Sequence, residues 1–322
     1  MYNGNLSTTG NSADIRVKFQ ANASSYGNIV AINCIINGIM MLVTILGNCL
    51  VSIAIWKTSS LRSPSTMFLF SLAISDLLVG LIVQPVYIAK SLIDVYFLQI
   101  LTALMAFAAC GVSLGTMAAI SLDRFLALHY HLRYNALMTS FRATSALLTI
   151  WITTFLLSCL IFWDSSIYIA VLTILISAYL ITSANFYVRI YQIVLKHRSQ
   201  IQHREPGNQQ LSVGQLSSQK KLIGSALSTF VFYICTVTCY LPRFISLTLT
   251  DTNTYKKTAW ILADTLIFFN SAINPLLYCW RLPDLRAAVV KYGGNFSACK
   301  IKGKTLITFL LWMHSQNILR FD

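Results

Sequence analysis

The chain has 322 residues, 56% of them hydrophobic and 11% charged, and 24 Lys and Arg against 10 Asp and Glu give a net charge of +14. Soluble globular proteins carry about 25% charged residues, so this composition indicates that lipid is part of the solvent. With 6 Pro, 14 Gly and 8 Cys, the chain is not a collagen, a disordered segment or a disulfide scaffold. The basic excess leaves two interpretations open, nucleic-acid binding and a cytoplasmic surface near anionic lipid.

Seven apolar stretches along the chain are long enough to cross a membrane. A spanning helix needs about 20 mainly apolar residues, and these stretches hold few charges and are longer than strands of soluble proteins. In chain order they are residues 29–56, 66–93, 97–128, 144–163, 166–195, 222–249 and 259–281. Because backbone in lipid must satisfy its own hydrogen bonds, the fold class predicted is an all-α membrane protein, a bundle of seven transmembrane helices.

The basic residues predict which ends of these spans face the cytoplasm. Nine Lys and Arg lie in three alternate loops, at residues 57–65, 129–143 and 196–221. The loops on the opposite side hold Lys256 and Lys257, with Lys90 near a helix end. Because cytoplasmic loops are enriched in Lys and Arg, we expect residues 1–28 to be extracellular and residues 282–322 to form a cytoplasmic tail. The net charge is then mostly an orientation signal, and nucleic acid is a poor explanation for it.

The two ends of the chain predict modification and contact with the membrane surface. Asn5 and Asn22 each begin an Asn-x-Ser sequon on the expected outer side, where glycosylation takes place. Basic and apolar residues interleave over 281–292, which favours a short amphipathic helix along the membrane after the last span. Cys299 follows this basic stretch and is a candidate for palmitoylation.

Charged residues inside the spans are few, and such residues are usually functional because a charge in lipid is costly. They are Asp76, Asp123, Arg124, Arg243 and Asp264. Asp76 lies about halfway along the second span, so its carboxylate needs partners or a water-filled cavity. Neutral polar residues that lie equally deep are Asn48, Ser113, Asn270, Ser271 and Asn274. The set predicts either a site for a small cation, which prefers oxygen ligands, or a structural polar network that joins the helices.

Six landmarks, in spans one, two, three, four, six and seven, carry a family resemblance. In order they are Gly47-Asn48, Leu72-Ala73-Ile74-Ser75-Asp76, Asp123-Arg124-Phe125, Trp151, Pro242 and Asn274-Pro275-Leu276-Leu277-Tyr278. Together they resemble the rhodopsin-like (class A) G-protein-coupled receptors, and the match covers about residues 29–292. The resemblance implies a receptor that passes an extracellular signal to a heterotrimeric G protein from the plasma membrane, with its N-terminus outside.

The resemblance also implies roles for residues near the cytoplasmic ends. Arg124 would engage the G protein in the active state, and Asp123 would restrain it at rest. Phe125 stands where the family usually has Tyr, a mild change. The seventh span would move at a proline kink built from Asn274, Pro275 and Tyr278.

Further expectations from the resemblance concern the sixth span and the membrane centre. Pro242 would bend the sixth span, and Tyr240 takes the place of the family's usual Trp as its bulky switch. Asp76 resembles the acid of the family's sodium site. Its companions would be Ser113, Asn270, Ser271 and Asn274. No other cofactor is expected.

The cysteines and the second outer loop narrow the resemblance. Gln99 stands where most members have a Cys at the top of the third span, and the loop of residues 164–166 contains no Cys, so we expect no disulfide there. Together with the fifth span, which lacks proline, these features look like the melanocortin, adenosine, cannabinoid and lysophospholipid receptor branch, the melanocortin receptors most of all.

The predicted ligand pocket matches none of these receptors closely. Ala106 stands where amine receptors have an acid, and Leu247 stands where adenosine receptors have an Asn. Arg243 and Asp264 remain as the charged candidates. They would bind opposite ends of a zwitterionic or polar ligand, pair with each other as an internal lock, or, through Arg243, meet an anionic lipid.

The function predicted from sequence is therefore a G-protein-coupled receptor of melanocortin-receptor type whose ligand is a peptide, a lipid or a small polar molecule. Its other partners would be a heterotrimeric G protein and membrane lipids. The alternative is a polytopic ion or proton transporter that uses Asp76. No enzyme is expected, because the sequence has no nucleophile constellation, phosphate loop or metal-ligand spacing.

Overall fold

The structure, a computed structural model, describes residues 8–61, 63–93, 95–130, 133–202, 230–246 and 254–294. Within these ranges it is helical and contains no strand. The helices are α1 (Thr8–Lys57), α2 (Pro64–Leu92), α3 (Tyr96–His129), α4 (Ser140–Phe162), α5 (Ser165–Gln202), α6 (Phe230–Ser246), α7 (Thr254–Arg281) and α8 (Pro283–Gly294). A one-turn helix, Tyr134–Leu137, lies in the loop before α4.

The described helices confirm the predicted seven-helix bundle. Six of them, α1 to α5 and α7, are long and apolar enough to cross a membrane, and α6 is a shorter apolar helix within the sixth predicted span. The helix α8 lies where a short helix was predicted after the last span. One difference is at the start: the backbone is already helical from Thr8, well before residue 29, where the first span was predicted to begin.

Local capping explains where three helices begin. The Ser63 hydroxyl accepts a hydrogen bond from the Thr66 backbone at the start of α2, and Thr139 does the same at the start of α4. Asp164 caps α5, accepting from the backbone N–H groups of Ser166 at 2.6 Å and Ile167 at 3.1 Å. These bonds stabilise the charged carboxylate and lower the pKa of Asp164. A single acid thus closes the very short outer turn between α4 and α5.

A wide turn changes the course of α2 halfway along its length. Residues Val79–Val83 form a π-helical turn, which ends two residues before Pro85. A proline lacks an N–H and its ring clashes with the carbonyl four residues earlier, so a wider turn lets the helix continue past it. The outer half of α2, with Tyr87 and Lys90, therefore faces a direction that a regular helix would not give it.

The third helix is the centre of the bundle. It packs against α2, α4 and α5, while α1 packs against α2, α7 and α8. The largest cluster of buried apolar residues fills the half of the bundle that is predicted to face the cytoplasm, and it includes Phe68, Leu72, Tyr278 and, from α8, Leu285. Large apolar side chains on the outer faces of α1, α4 and α5 are exposed, as expected for helices that contact lipid.

Candidate functional site

At the C-terminal end of α3, which is predicted to face the cytoplasm, the Asp123 carboxylate has three partners. Arg124 Nη2 lies 2.8 Å from Asp123 Oδ2, and the Ser65 hydroxyl donates to the same oxygen at 2.8 Å. The Tyr134 hydroxyl donates to Asp123 Oδ1 at 2.6 Å. The Asp123 side chain is 1% exposed and that of Arg124 19% exposed. A buried carboxylate is costly unless it is paired and hydrogen-bonded, so these partners stabilise its charged form.

Tyr134 remains a hydrogen-bond donor throughout the physiological pH range. Burial, and then its hydrogen bond to Asp123, raise the pKa of Tyr134 to about 12. The tyrosine comes from the one-turn helix before α4 and Ser65 from the first turn of α2, so Asp123 ties α3 to both. We call Asp123, Arg124, Ser65 and Tyr134 the inner cluster.

Aromatic contacts surround the inner cluster. The Phe125 ring stacks on His129 with centroids 5.3 Å apart and packs against Phe186 of α5 at 5.6 Å. The Tyr278 ring of α7 stacks on Phe232 of α6, with centroids 5.2 Å apart. The sixth and seventh helices are therefore joined through the tyrosine of the predicted kink.

Pro275 of that kink touches α1 at a glycine. A Cβ atom placed on Gly47 would lie 2.9 Å from Pro275 Cγ, closer than real Cβ contacts allow. Because only glycine has no Cβ, Gly47 permits the close approach of α1 and α7 at this depth.

Further into the membrane, the predicted polar residues form what we call the interior cluster. Asn274 Nδ2 donates to Asp76 Oδ2 at 2.8 Å, which joins α7 to α2. Asn48 of α1 donates to the Ser271 carbonyl at 3.1 Å, and Asn270 Oδ1 accepts from Thr236 of α6 at 3.4 Å. All of these residues and Ser113 are buried. Three of the buried oxygens have no hydrogen-bond partner among the described residues: Asp76 Oδ1, Asn48 Oδ1 and Ser113 Oγ.

At the end of the bundle that is predicted to face outward, a cavity of about 140 Å³ lies between α2, α3, α5, α6 and α7. Arg243 and Asp264 both line this outer cavity, with Arg243 Nη1 3.5 Å from Asp264 Oδ1 and both side chains 21% exposed. The Arg243 guanidinium also lies over the Trp260 ring, 5.2 Å from its centroid. The structure thus brings the two predicted charges together as a loose ion pair.

Two further predicted residues line the outer cavity. Ala106 contributes part of the wall of α3. Tyr240 is buried beside it, with its hydroxyl 3.5 Å from the Cys110 carbonyl. Pro242 lies between Tyr240 and Arg243 in α6, so the proline, the aromatic residue and the cation belong to one turn of helix.

Sequence reasoning missed Lys90 and its neighbour Tyr87. Both line the outer cavity, and the Lys90 ammonium lies 5.4 Å from the centroid of the Tyr87 ring. In the sequence, Lys90 reads as an orientation charge near a helix end. The only signal of another role is Pro85, because a proline inside a span changes which residues face the bundle.

A buried amide cluster near the outer ends of α1, α2 and α7 was also missed. Asn33 Nδ2 donates to Thr265 Oγ1 at 2.5 Å, and Asn37 Nδ2 donates to Asn33 Oδ1 at 3.1 Å. The Tyr87 hydroxyl donates to the same Asn33 oxygen at 3.2 Å. Thr265 directly follows Asp264, so this amide cluster fixes the part of α7 that carries the acid. Two asparagines four residues apart in an apolar span were the available signal.

Some predicted residues lie outside the part of the chain that the structure describes. These are Asn5, Leu247, Cys299 and the side chain of Asn22. The seven cysteines in the described part are free thiols.

Comparisons with known proteins agree with the geometry. The family described as 7 transmembrane receptor (rhodopsin family) matches residues 47–166. The chain is 31% identical to melanocortin receptor 4 of Danio rerio over 270 residues, which cover 76% of this chain and 78% of that receptor. It is 27% identical to adenosine receptor A2b of Gallus gallus over 298 residues, covering 77% and 84% of the two chains. The chain belongs to the rhodopsin-like (class A) family of G-protein-coupled receptors.

Proposed function

We propose that this protein is a plasma-membrane receptor in which a ligand in the outer cavity controls the access of a heterotrimeric G protein to Arg124. The observation that carries this proposal is the inner cluster, where Arg124 pairs with Asp123 and its side chain is still 19% exposed. A charge pair at a helix end is a two-state element, because breaking it exposes a cation to a partner.

The other two donors of the inner cluster make the release of Arg124 less costly. A buried carboxylate left without partners would oppose separation of the pair strongly. When Arg124 leaves, the hydrogen bonds from Ser65 and Tyr134 still satisfy Asp123. Release of Arg124 therefore breaks its ion pair with Asp123, and the acid does not have to lose all of its partners for the switch to work.

The sixth helix connects the ligand site with the inner cluster. Arg243 and Tyr240 face the outer cavity from α6, and Phe232 of the same helix stacks on Tyr278 of α7. A ligand that binds one arrangement of α6 better than another shifts the population of the bundle towards it. Ala106 would form part of the wall of this site. Leu247 lies outside the described residues and stays a predicted ligand contact. A ligand of melanocortin type stays a proposal.

The interior cluster fits a sodium ion. Three buried oxygens without a hydrogen-bond partner among the described residues, on Asp76, Asn48 and Ser113, are the kind of donor that hard cations take. Asn270, Ser271 and Asn274 would complete the polar surroundings. When bound, the ion would balance the negative charge of the Asp76 carboxylate. Replacing sodium chloride by choline chloride should lower the melting temperature of the wild type and leave that of an Asp76→Asn variant unchanged.

At the membrane surfaces, we expect glycans on Asn5 and Asn22 outside and palmitate on Cys299 inside. The orientation rests on the excess of Lys and Arg in the predicted cytoplasmic loops.

The test is nucleotide exchange on a panel of G proteins in membranes that contain the full chain. We expect exchange above that of empty membranes, and its loss in Arg124→Ala. Arg133→Ala is the matched control, since Arg133 is an exposed cation in the following loop. Equal exchange in wild type and Arg124→Ala would contradict the proposal. Flux of a cation or proton without any exchange would instead support the transporter that uses Asp76.

A further inference from the structure

We propose that the ligand of the outer cavity is a small organic anion, whose anionic group pairs with Lys90. This inference rests on the proposed function in taking the outer cavity as the ligand site, and it adds the ligand's charge and size. Lys90 is the residue that it assigns to recognition.

The charges of the outer cavity do not cancel. The charged side chains that line it in the described part of the chain are Lys90, Arg243 and Asp264, two cations and one anion. Asp264 is already paired with Arg243. None of the described carboxylates pairs with Lys90, whose contact there is the face of the Tyr87 ring. Among the described residues that line it, the cavity therefore has one cation more than it has anions.

The deeper cation also has unused bonding capacity. Arg243 Nη1 is buried and makes no hydrogen bond with the described residues, since its 3.5 Å approach to Asp264 is an ion contact only. Charge-assisted hydrogen bonds from Arg to an oxyanion are about twice as strong as neutral ones. A second polar oxygen of the ligand would find a donor here.

The surroundings favour a small anion over an amine or a large peptide. Phe107, Leu172, Ile176 and Phe268 make much of the wall apolar, which lowers the local dielectric and strengthens attraction to a cation. A free amine would meet this excess of positive charge, and Ala106 offers it no acid. The volume of about 140 Å³ lies well below the roughly 300–1,000 Å³ of pockets for drug-sized ligands.

Ligand stabilisation of the purified full-length receptor tests this proposal. The probes are acetate, propionate, butyrate, lactate and glutamate as sodium salts, compared with sodium chloride at equal concentration. Butyramide and butylamine serve as uncharged and cationic matches of butyrate. We expect at least one carboxylate to raise the melting temperature in a saturable way, because a ligand that binds only the folded state stabilises it. The amide and the amine should not.

Two variants of Lys90 and one control locate the site. In Lys90→Gln, the half-saturating concentration should rise about tenfold or more, and in Lys90→Arg it should stay within a few-fold of wild type. The matched control is Lys57→Gln, since Lys57 lies in the same way over an aromatic ring, that of Tyr292, 5.5 Å from its centroid at the opposite end of the bundle. It should not change binding.

Three results would overturn the proposal: no carboxylate acts beyond sodium chloride, butyramide acts as well as butyrate, or Lys90→Gln binds like wild type. Nucleotide exchange, measured in parallel, keeps the two proposals apart. Carboxylate binding without exchange would refute the receptor function and leave the anion site standing. If nucleotide exchange is seen and Arg124→Ala abolishes it, but no carboxylate binds, the receptor function stands and the anion site is refuted.

Discussion

The inner cluster and the outer cavity both contain charges in a low-dielectric bundle, but they differ in how completely those charges are paired. At the inner end, Asp123 has three partners at 2.6 to 2.8 Å and is 1% exposed. In the outer cavity, Arg243 and Asp264 stay 3.5 Å apart and Lys90 has no acid among the described residues. The inner charges are satisfied within the chain, whereas the outer ones leave capacity for a ligand.

This difference fits a switch at the inner end and a recognition site at the outer end. A switch that must rest in one state needs its charges satisfied internally, since an unpaired buried charge would destabilise that state. A recognition site needs charges whose best partner is supplied from outside. Substitutions at the two ends should therefore differ in whether they change stability or binding.

The largest effect is expected from Asp123→Ala. It removes the acceptor of Arg124, Ser65 and Tyr134 together, and breaking a buried ion pair costs about 3–5 kcal/mol. We expect a large drop in melting temperature, with basal nucleotide exchange raised in the protein that still folds. Asp284→Ala, at an exposed acid in the first turn of α8, is the control. Equal melting temperatures of the two variants would show that the contacts of Asp123 do not stabilise the resting protein.

Removing a single donor should have a smaller effect of the same sign. In Tyr134→Phe, Asp123 loses its 2.6 Å hydrogen bond, and bonds to charged groups contribute about 1.5–3 kcal/mol. Thermal unfolding should show a lower midpoint, and basal exchange should rise less than in Asp123→Ala. Tyr130→Phe removes an exposed hydroxyl nearby and should leave both unchanged. A larger effect at Tyr130 than at Tyr134 would contradict the assignment.

Packing should also be more restrictive in the inner half than in the outer half of α1. Gly47→Ala places a methyl group 2.9 Å from Pro275 Cγ, and overpacking costs about 1–3 kcal/mol. At Gly38 the added methyl meets nothing within 4 Å, and alanine in a helix gains up to about 1 kcal/mol over glycine. Thermal unfolding of the two variants should therefore shift in opposite directions. Shifts in the same direction would mean that α1 and α7 do not approach closely at Gly47.

The smallest change in stability is expected in the outer cavity. Asp264→Asn loosens a pair whose members are both 21% exposed, and such pairs contribute about 0–1 kcal/mol. The melting temperature should barely move, while the potency of ligand-induced signalling should change in Asp264→Asn and in Arg243→Ala. A large loss of stability would show that the pair is an internal lock, and unchanged potency in both would remove it from the ligand site.

The fold was largely predictable because each membrane helix is specified by the length and hydropathy of its own stretch of sequence. Length and hydropathy alone placed the spans, and the short turn at Asp164 was visible as a break between two of them. The contact between Asn274 and Asp76 followed from family landmarks at equal depth. The start of α1 at Thr8 was not foreseen, since the polar residues before the first span carry no apolar periodicity.

What sequence could not predict is the rotation of each helix about its own axis. Lys90 faces the outer cavity because the π-helical turn before Pro85 changes the direction of α2. Pro85 signals a disturbed helix, but the sequence does not specify the rotation that follows it. The bond from Tyr134 to Asp123 joins a loop to a helix end, which spacing along the chain does not indicate. Asn33 and Asn37 were visible, but their partner Thr265 is more than two hundred positions away.

The Asp164 turn has a consequence for the lifetime of the bound ligand. A connection that is closed by one carboxylate between α4 and α5 is too short to fold over the outer cavity as a lid. This loop therefore does not slow the departure of a small molecule, and residence time is what mainly separates weak from tight complexes. A receptor built in this way would exchange its ligand quickly and follow rises and falls in concentration as they occur.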